Sequence, residues 1–97
     1  MKKEKIIKEF REIIVDSFMA NYSKYELKGN EREMIEKSFS SIISDEFAIE
    51  FAKIWLGEEK QNLEGRIKDE TLIKSERNAL KRIKKKTEKE IAIISSP

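Results

Sequence analysis

The stretch FAIEFAKIW, residues 47–55, decides the fold because its apolar side chains predict a helix that is buried nearly all round. Ser44 precedes the stretch as a candidate N-cap, and Asp45 and Glu46 place negative charge in the first turn, where the helix dipole favours it. We therefore expect this third helix to lie at the heart of the core. An aromatic docking groove is the alternative role for the same residues. The prediction rests on Phe47, Ala48, Ile49, Phe51, Ala52, Ile54, Trp55 and Leu56.

Two amphipathic helices are predicted before this stretch. The first extends from about residue 3 to residue 27 and is closed by Gly29, since glycine readily adopts the left-handed conformation that ends a helix. The second begins after Asn30, a candidate N-cap with Glu33 three residues further on in a box-like arrangement. Their apolar stripes consist of Ile7, Phe10, Ile14, Phe18, Tyr22 and Tyr25 in the first helix, and of Met34, Ile35, Phe39, Ile42 and Ile43 in the second.

Beyond Gly57 the chain becomes polar, and residues 58–94 predict a long basic helix. Gly57 either ends the third helix or is tolerated inside a longer one at a cost of about 1 kcal/mol. A helix this polar gains little from a monomer's core, so we expect it to need a partner surface. Ile73, Leu80, Thr87 and Ile94 recur every seven residues, which indicates a coiled-coil seam weakened by the polar Thr87, with a homodimer as the first candidate oligomer. The predicted oligomer interface consists of Ile73, Leu80, Ile83, Ile91 and Ile94.

The expected architecture is an all-α protein with a single helical domain over residues 1–97, a length that suffices for one modest core. An apolar core of three short helices in residues 1–56 is followed by the long basic C-terminal helix. This last helix can alternatively fold back as the fourth member of the bundle, and the monomer would then suffice. In that arrangement the inward stripe consists of Leu63, Ile67, Leu80 and Ile83.

Positive charge is concentrated at the C-terminal end of the chain. Residues 1–65 carry 11 Lys/Arg and 14 Asp/Glu, a net −3, whereas residues 66–97 carry 10 and 5, a net +5. A basic arc on one helix face can bind phosphates without reading base sequence, can bind an acidic protein, or can simply be solvated. No aromatic residue lies between Leu56 and Pro97 to stack on bases. The candidate nucleic-acid-binding residues are Arg77, Lys81, Arg82, Lys84, Lys85, Lys86 and Lys89.

Catalytic chemistry finds little support in the composition, which contains no histidine and no cysteine. The three glycines are isolated, so no glycine-rich phosphate loop is present. We expect no catalytic residue, no metal site, no cofactor and no small-molecule substrate. Uncharged stretches such as SFSSIIS (38–44) are far shorter than the roughly 18 apolar residues of a membrane span, so we expect a cytoplasmic protein without a membrane partner.

Two functions follow from these observations. The first is a non-catalytic helical interaction protein, which means an oligomeric adaptor or a small subunit of a larger complex. The second is a sequence-nonspecific nucleic-acid-binding protein that uses the basic C-terminal helix. The composition, at 41% charged residues and rich in Lys, Glu and Ile, resembles that of thermophile proteins and does not discriminate between the two.

Overall fold

A computed structural model describes residues 2–97 and contains four α-helices packed together. They are α1 (Lys3–Ala20), α2 (Glu31–Ile42), α3 (Asp45–Ile67) and α4 (Lys74–Ser95). No strand occurs among the described residues. The predicted all-α fold, with a long basic C-terminal helix, is therefore confirmed.

The first helix ends at Ala20, seven residues before the predicted end. Tyr22 and Ser23 donate their N–H groups to carbonyls three residues back, at 2.9 and 3.2 Å, which tightens and closes the last turn. Asn21, Tyr22 and Ser23 are all weak helix formers, which favours this early end. Gly29, at φ +57°, lies in the connection to α2 and does not cap α1.

Only one of the two predicted N-cap residues makes a capping hydrogen bond. Ser44 caps α3 as predicted, because its Oγ accepts the Phe47 N–H at 3.1 Å. Asn30 holds the N-cap position of α2, but its side chain makes no capping hydrogen bond, so the predicted box with Glu33 is not formed. Instead the Glu31 carboxylate accepts the Lys28 N–H at 2.9 Å.

The boundary between the third and fourth helices lies at residues 68–73 and not at Gly57. Gly57 continues the helix because strong helix formers such as Leu56, Glu58 and Glu59 surround it. The chain turns where the Asp69 carboxylate accepts both the N–H and the hydroxyl of Thr71, at 2.9 and 2.7 Å. Arg77 then donates to the carbonyls of Ile67 and Asp69, satisfying the C-terminal end of α3.

The last two helices form an antiparallel hairpin, so α4 folds back on α3. Lys84 lies 3.7 Å from Glu64, and Ile94 packs in one cluster with Ala52 at the other end of α3. Leu63 is buried as the fold-back alternative requires, whereas Ile83 is 48% exposed and does not face inward. The polar fourth helix therefore obtains its packing surface from its own chain.

The core is formed where α1 lies antiparallel on the first half of α3. One buried cluster joins α1, α3 and the end of α4, and a smaller one joins α1 to the start of α3. Arg11 pairs with Asp45 and donates to the Ile43 carbonyl, which fixes α1 beside the α2–α3 connection. The clusters consist of Ile6, Phe10, Ala52, Leu56 and Ile94, and of Ile14, Ile43 and Ala48.

The second helix lies at the margin of the molecule and packs against α1 but no other described helix. None of its residues is buried. Met34 and Ile42, which the sequence places on its buried face, are 58% and 73% exposed. The prediction is wrong for these two residues, because the molecule is flat, with Cα extents of 50 × 36 × 18 Å, and no described element covers them. It holds for Ile43, which is buried, and in part for Ile35 and Phe39, which are half-buried.

Candidate protein-interaction surface

Helix α3 carries two apolar stripes, and only one of them is buried. The core stripe is built on Ala48 and Ala52, both fully buried. The second stripe presents Phe47, Ile54 and Trp55 at 54%, 64% and 44% exposure. The prediction that residues 47–55 are core is therefore wrong for these three side chains, because no element of the described chain covers that side of α3.

The exposed stripe continues into a larger aromatic surface. The Phe51 and Trp55 rings lie 5.8 Å apart, and both contact the buried Phe10 ring in edge-on geometry at 6.2 and 6.3 Å. On the other side, Phe18 stacks on Phe39 at 4.9 Å. We call this the aromatic surface, and it consists of Phe18, Tyr22, Tyr25, Phe39, Phe47, Phe51 and Trp55.

Two adjoining grooves connect the two halves of the aromatic surface. One, of about 330 Å³, lies between Tyr25 and Phe39, and the other, of about 260 Å³, lies between Phe18 and Phe51. Phe18 and Asn21 line both grooves, so the surface is continuous. Lys24 is the one charged residue in either lining, and its Nζ lies 5.3 Å from the centre of the Tyr25 ring. The linings of the two grooves therefore carry a single charge.

The exposed apolar area is concentrated in one part of the chain. Nine large hydrophobic side chains of the described residues are exposed, and seven of them belong to residues 18–55. Phe18, Tyr25 and Phe47 among them line the two adjoining grooves, and exposed apolar patches of this kind mark interaction sites. The seven are Phe18, Tyr25, Met34, Ile42, Phe47, Ile54 and Trp55.

A larger groove of about 580 Å³ separates α1 from α2 and has a different character. Its walls carry charges of both signs, including Glu33 paired with Lys37 at 3.3 Å. Among residues 2–97 no three acidic side chains come together in a way that could hold a metal ion. The charged lining residues are Lys8, Arg11, Glu12, Asp16, Glu33, Glu36 and Lys37.

The predicted nucleic-acid-binding residues divide into two groups. Arg77 holds the end of α3, and Lys84 pairs with Glu64, so both have structural partners. The other five are exposed on the side of α4 that faces away from the buried Leu80 and Ile94. Within residues 2–97 these five make no ion pair, and they are Lys81, Arg82, Lys85, Lys86 and Lys89.

Most residues of the predicted oligomer interface pack against other helices of the same chain. Leu80 and Ile94 are buried, and Ile91 is half-buried against the core cluster. Ile73 and Ile83 remain exposed. The heptad stripe of α4 is thus the stripe that packs against α3, because intramolecular and intermolecular helix packing use the same apolar spacing. The homodimer itself stays a prediction.

Two carboxyl groups have shifted pKa values. Burial raises the pKa of Glu90 above its ordinary 4.5, Lys86 opposes this rise, and Glu9 adds to it. Hydrogen bonds from Thr71 lower the pKa of the exposed Asp69 below its ordinary 3.8. The Asp69 contribution to stability is present at neutral pH and is lost as the pH falls through its lowered pKa.

Replacing Glu90 with glutamine is expected to stabilise the fold modestly at neutral pH. A raised pKa means that the charged carboxylate disfavours the folded state, so its removal helps wherever the group is ionised. The gain should vanish as the pH falls below 4.5, where glutamate is protonated in both states. Urea unfolding of both proteins across this pH range tests this, with Glu88→Gln, an exposed position on α4, as the control. A less stable Glu90→Gln variant at neutral pH would show that attraction to Lys86 outweighs burial.

Sequence reasoning did not separate the two stripes of α3, although a signal for them exists. The packed stripe carries alanines, which let neighbouring helices approach closely, whereas the open stripe carries Phe47, Phe51 and Trp55. Side-chain size therefore distinguishes the two faces where hydrophobicity does not.

None of the four described helices combines the length and the apolar character that membrane crossing requires. Comparisons with protein families, curated proteins and solved structures find no match to this chain.

Proposed function

We propose that this chain is a non-catalytic helical interaction protein, an adaptor or small subunit that binds another protein through its aromatic surface. The observation that carries the proposal is the exposed stripe of α3. Phe47, Ile54 and Trp55, with the half-buried Phe51 between them, follow the i, i+4, i+7, i+8 spacing by which helices dock on one another. Aromatic side chains are enriched at protein interfaces, and tryptophan is among the residue types that most often dominate the binding energy.

The aromatic surface is also held in place before any partner arrives. Phe10 is 4% exposed and supports Phe51 and Trp55 from below, while Phe39 supports Phe18 across the α1–α2 contact. Rings with fixed positions lose little conformational entropy on binding, which strengthens association. This support favours a binding role for the exposed rings.

A photo-cross-linking amino acid at position 47 tests the proposal in cells that naturally produce the chain. We expect a covalent protein adduct of defined mass, because position 47 belongs to the exposed stripe and lines one groove of the aromatic surface. The matched control places the same amino acid at position 85, equally exposed but on the basic face of α4. Absence of an adduct at position 47, or the same adduct from both positions, would contradict the proposal.

The second candidate function is nucleic-acid binding by the five exposed cations of α4. The favouring observation is that they span residues 81–89, about 12 Å of helix, without ion-pair partners among the described residues. The absence of aromatic residues from α4 favours duplex over single-stranded targets, since single strands are held largely by stacking.

Binding of a labelled duplex, followed by fluorescence anisotropy at several salt concentrations, tests this second function. Five phosphate contacts predict a slope of log affinity against log salt of about −4.5. The Lys81→Glu/Lys85→Glu variant should weaken binding and flatten the slope. Lys2→Glu/Lys5→Glu, with the same change in net charge on exposed residues at the other end of the chain, should change both much less. A wild-type protein that stays unbound at low salt would rule this function out.

A further inference from the structure

We infer that the partner on the aromatic surface is a second copy of this chain, in a two-fold symmetric dimer that pairs the exposed stripes of α3. The inference rests on the proposed function, since it names the occupant of the same surface. In such a dimer each copy contributes the same patch, so the exposed stripe has to be complementary only to itself. Three properties of the chain point to this occupant.

The first property is an excess of exposed area. The chain exposes 7432 Å², whereas a compact monomer of this size exposes about 5,800 Å². The excess of about 1,600 Å² comfortably contains the roughly 800 Å² that each partner buries in a standard interface. Part of the excess comes from the polar hairpin end, but seven of the nine exposed large hydrophobics lie in residues 18–55.

The second property is the shape of the molecule. The radius of gyration is 17.0 Å, whereas a compact chain of this length has about 12.5 Å and a compact chain of twice the length about 16 Å. The smallest Cα extent of 18 Å leaves room for no more than two helices in depth. The radius of gyration of a face-to-face pair would still exceed 17.0 Å, but it would lie closer to the value of a compact chain of twice the length than the single chain lies to its own compact value.

The third property is the sequence of α3, which is apolar around most of its circumference over residues 47–56. Helices with this pattern are buried on all sides. In the single chain, α1 and α4 cover the stripe of Ala48 and Ala52, and the stripe of Phe47 and Ile54 remains open. A second α3 laid on the open stripe completes the burial that the sequence predicts.

Electrostatic repulsion favours a dimer through the aromatic surface over a dimer through the basic face of α4. A two-fold contact uses the same patch on both copies, so the five exposed cations of residues 81–89 would face the like charges of the other copy. The grooves of the aromatic surface carry Lys24 as their one charged lining residue. The dimer therefore forms through α3 and leaves both basic faces exposed.

Phe47→Glu is the variant that separates loss of the dimer from loss of the fold. A glutamate at position 47 stands three residues after the capping Ser44 and completes a capping box, so α3 should be at least as stable as before. The same glutamate would place a charge inside the apolar dimer contact. The control is Ile83→Glu, which changes an exposed isoleucine on α4, outside the aromatic surface.

Sedimentation velocity across a wide range of protein concentrations gives the test, with circular dichroism to verify the helix content of each variant. We expect a dimer for the wild type and for Ile83→Glu, and a dissociation constant raised by about 30-fold or more for Phe47→Glu. A wild type that remains monomeric at the highest concentration would overturn the inference, as would a Phe47→Glu dimer of unchanged affinity. A monomer that still forms a heterologous adduct from position 47 would refute the dimer and keep the proposed function, whereas a monomer without any adduct would refute both.

Discussion

Replacing Ile94 with alanine should lower the free energy of unfolding by about 2–4 kcal/mol, because it empties part of the cluster that joins three helices. Ile94 is 1% exposed and packs with Ile6, Phe10 and Leu56. A domain of this size has a total stability of only about 5–15 kcal/mol. The loss should therefore appear as a large decrease in the urea midpoint of unfolding, measured by circular dichroism at one fixed protein concentration.

The control for Ile94 is Ile83→Ala, the same substitution on the same helix. Ile83 is 48% exposed, so truncating its side chain removes much less buried area. We expect a loss below about 1 kcal/mol at this position. Equal losses at the two positions would show that α4 does not fold back on α3 and α1, since that packing alone distinguishes them.

Enlarging Ala52 to leucine should destabilise the fold by about 1–3 kcal/mol, because the added atoms have to displace the helices packed around this position. Ala52 is fully buried in the cluster with Phe10 and Ile94. The larger side chain would force α1 and the end of α4 away from α3. Ala92→Leu, the same change at an exposed position of α4, is the control and should have little effect. Equal stability of Ala52→Leu and the wild type in urea unfolding would contradict the close packing.

The existence of the helices could be predicted from the sequence, whereas several of their ends could not. Apolar spacing predicts four helical segments because each segment must bury a stripe. The end of α3 was unpredictable since Gly57 and Gly65 are compatible with either a break or a continuation, and only the packing of α4 on α3 decides between them. The early end of α1 depends on weak local preferences at Asn21 and Tyr22, against an apolar spacing that continues to Tyr25.

The aromatic surface was harder to predict than the fold, because the exposure of a side chain depends on whether another helix packs against it. The sequence shows that Phe47 and Trp55 are apolar, but only the three-dimensional packing shows that nothing covers them. The basic arc was predicted in part. Arg77 and Lys84 look equivalent to the neighbouring cations in sequence, yet the antiparallel hairpin gives them partners on residues 64–69. Such partners are long-range and leave no local signal.

The most direct test of the claim that a second copy covers the aromatic surface is acrylamide quenching of the fluorescence of Trp55. Trp55 is the only tryptophan in the sequence and is 44% exposed in the single chain, so it reports on this surface without a label. We predict ready quenching in dilute solution and progressive protection as the protein concentration rises, with Phe47→Glu remaining accessible throughout. Equal quenching of the wild-type protein at every concentration would contradict the claim.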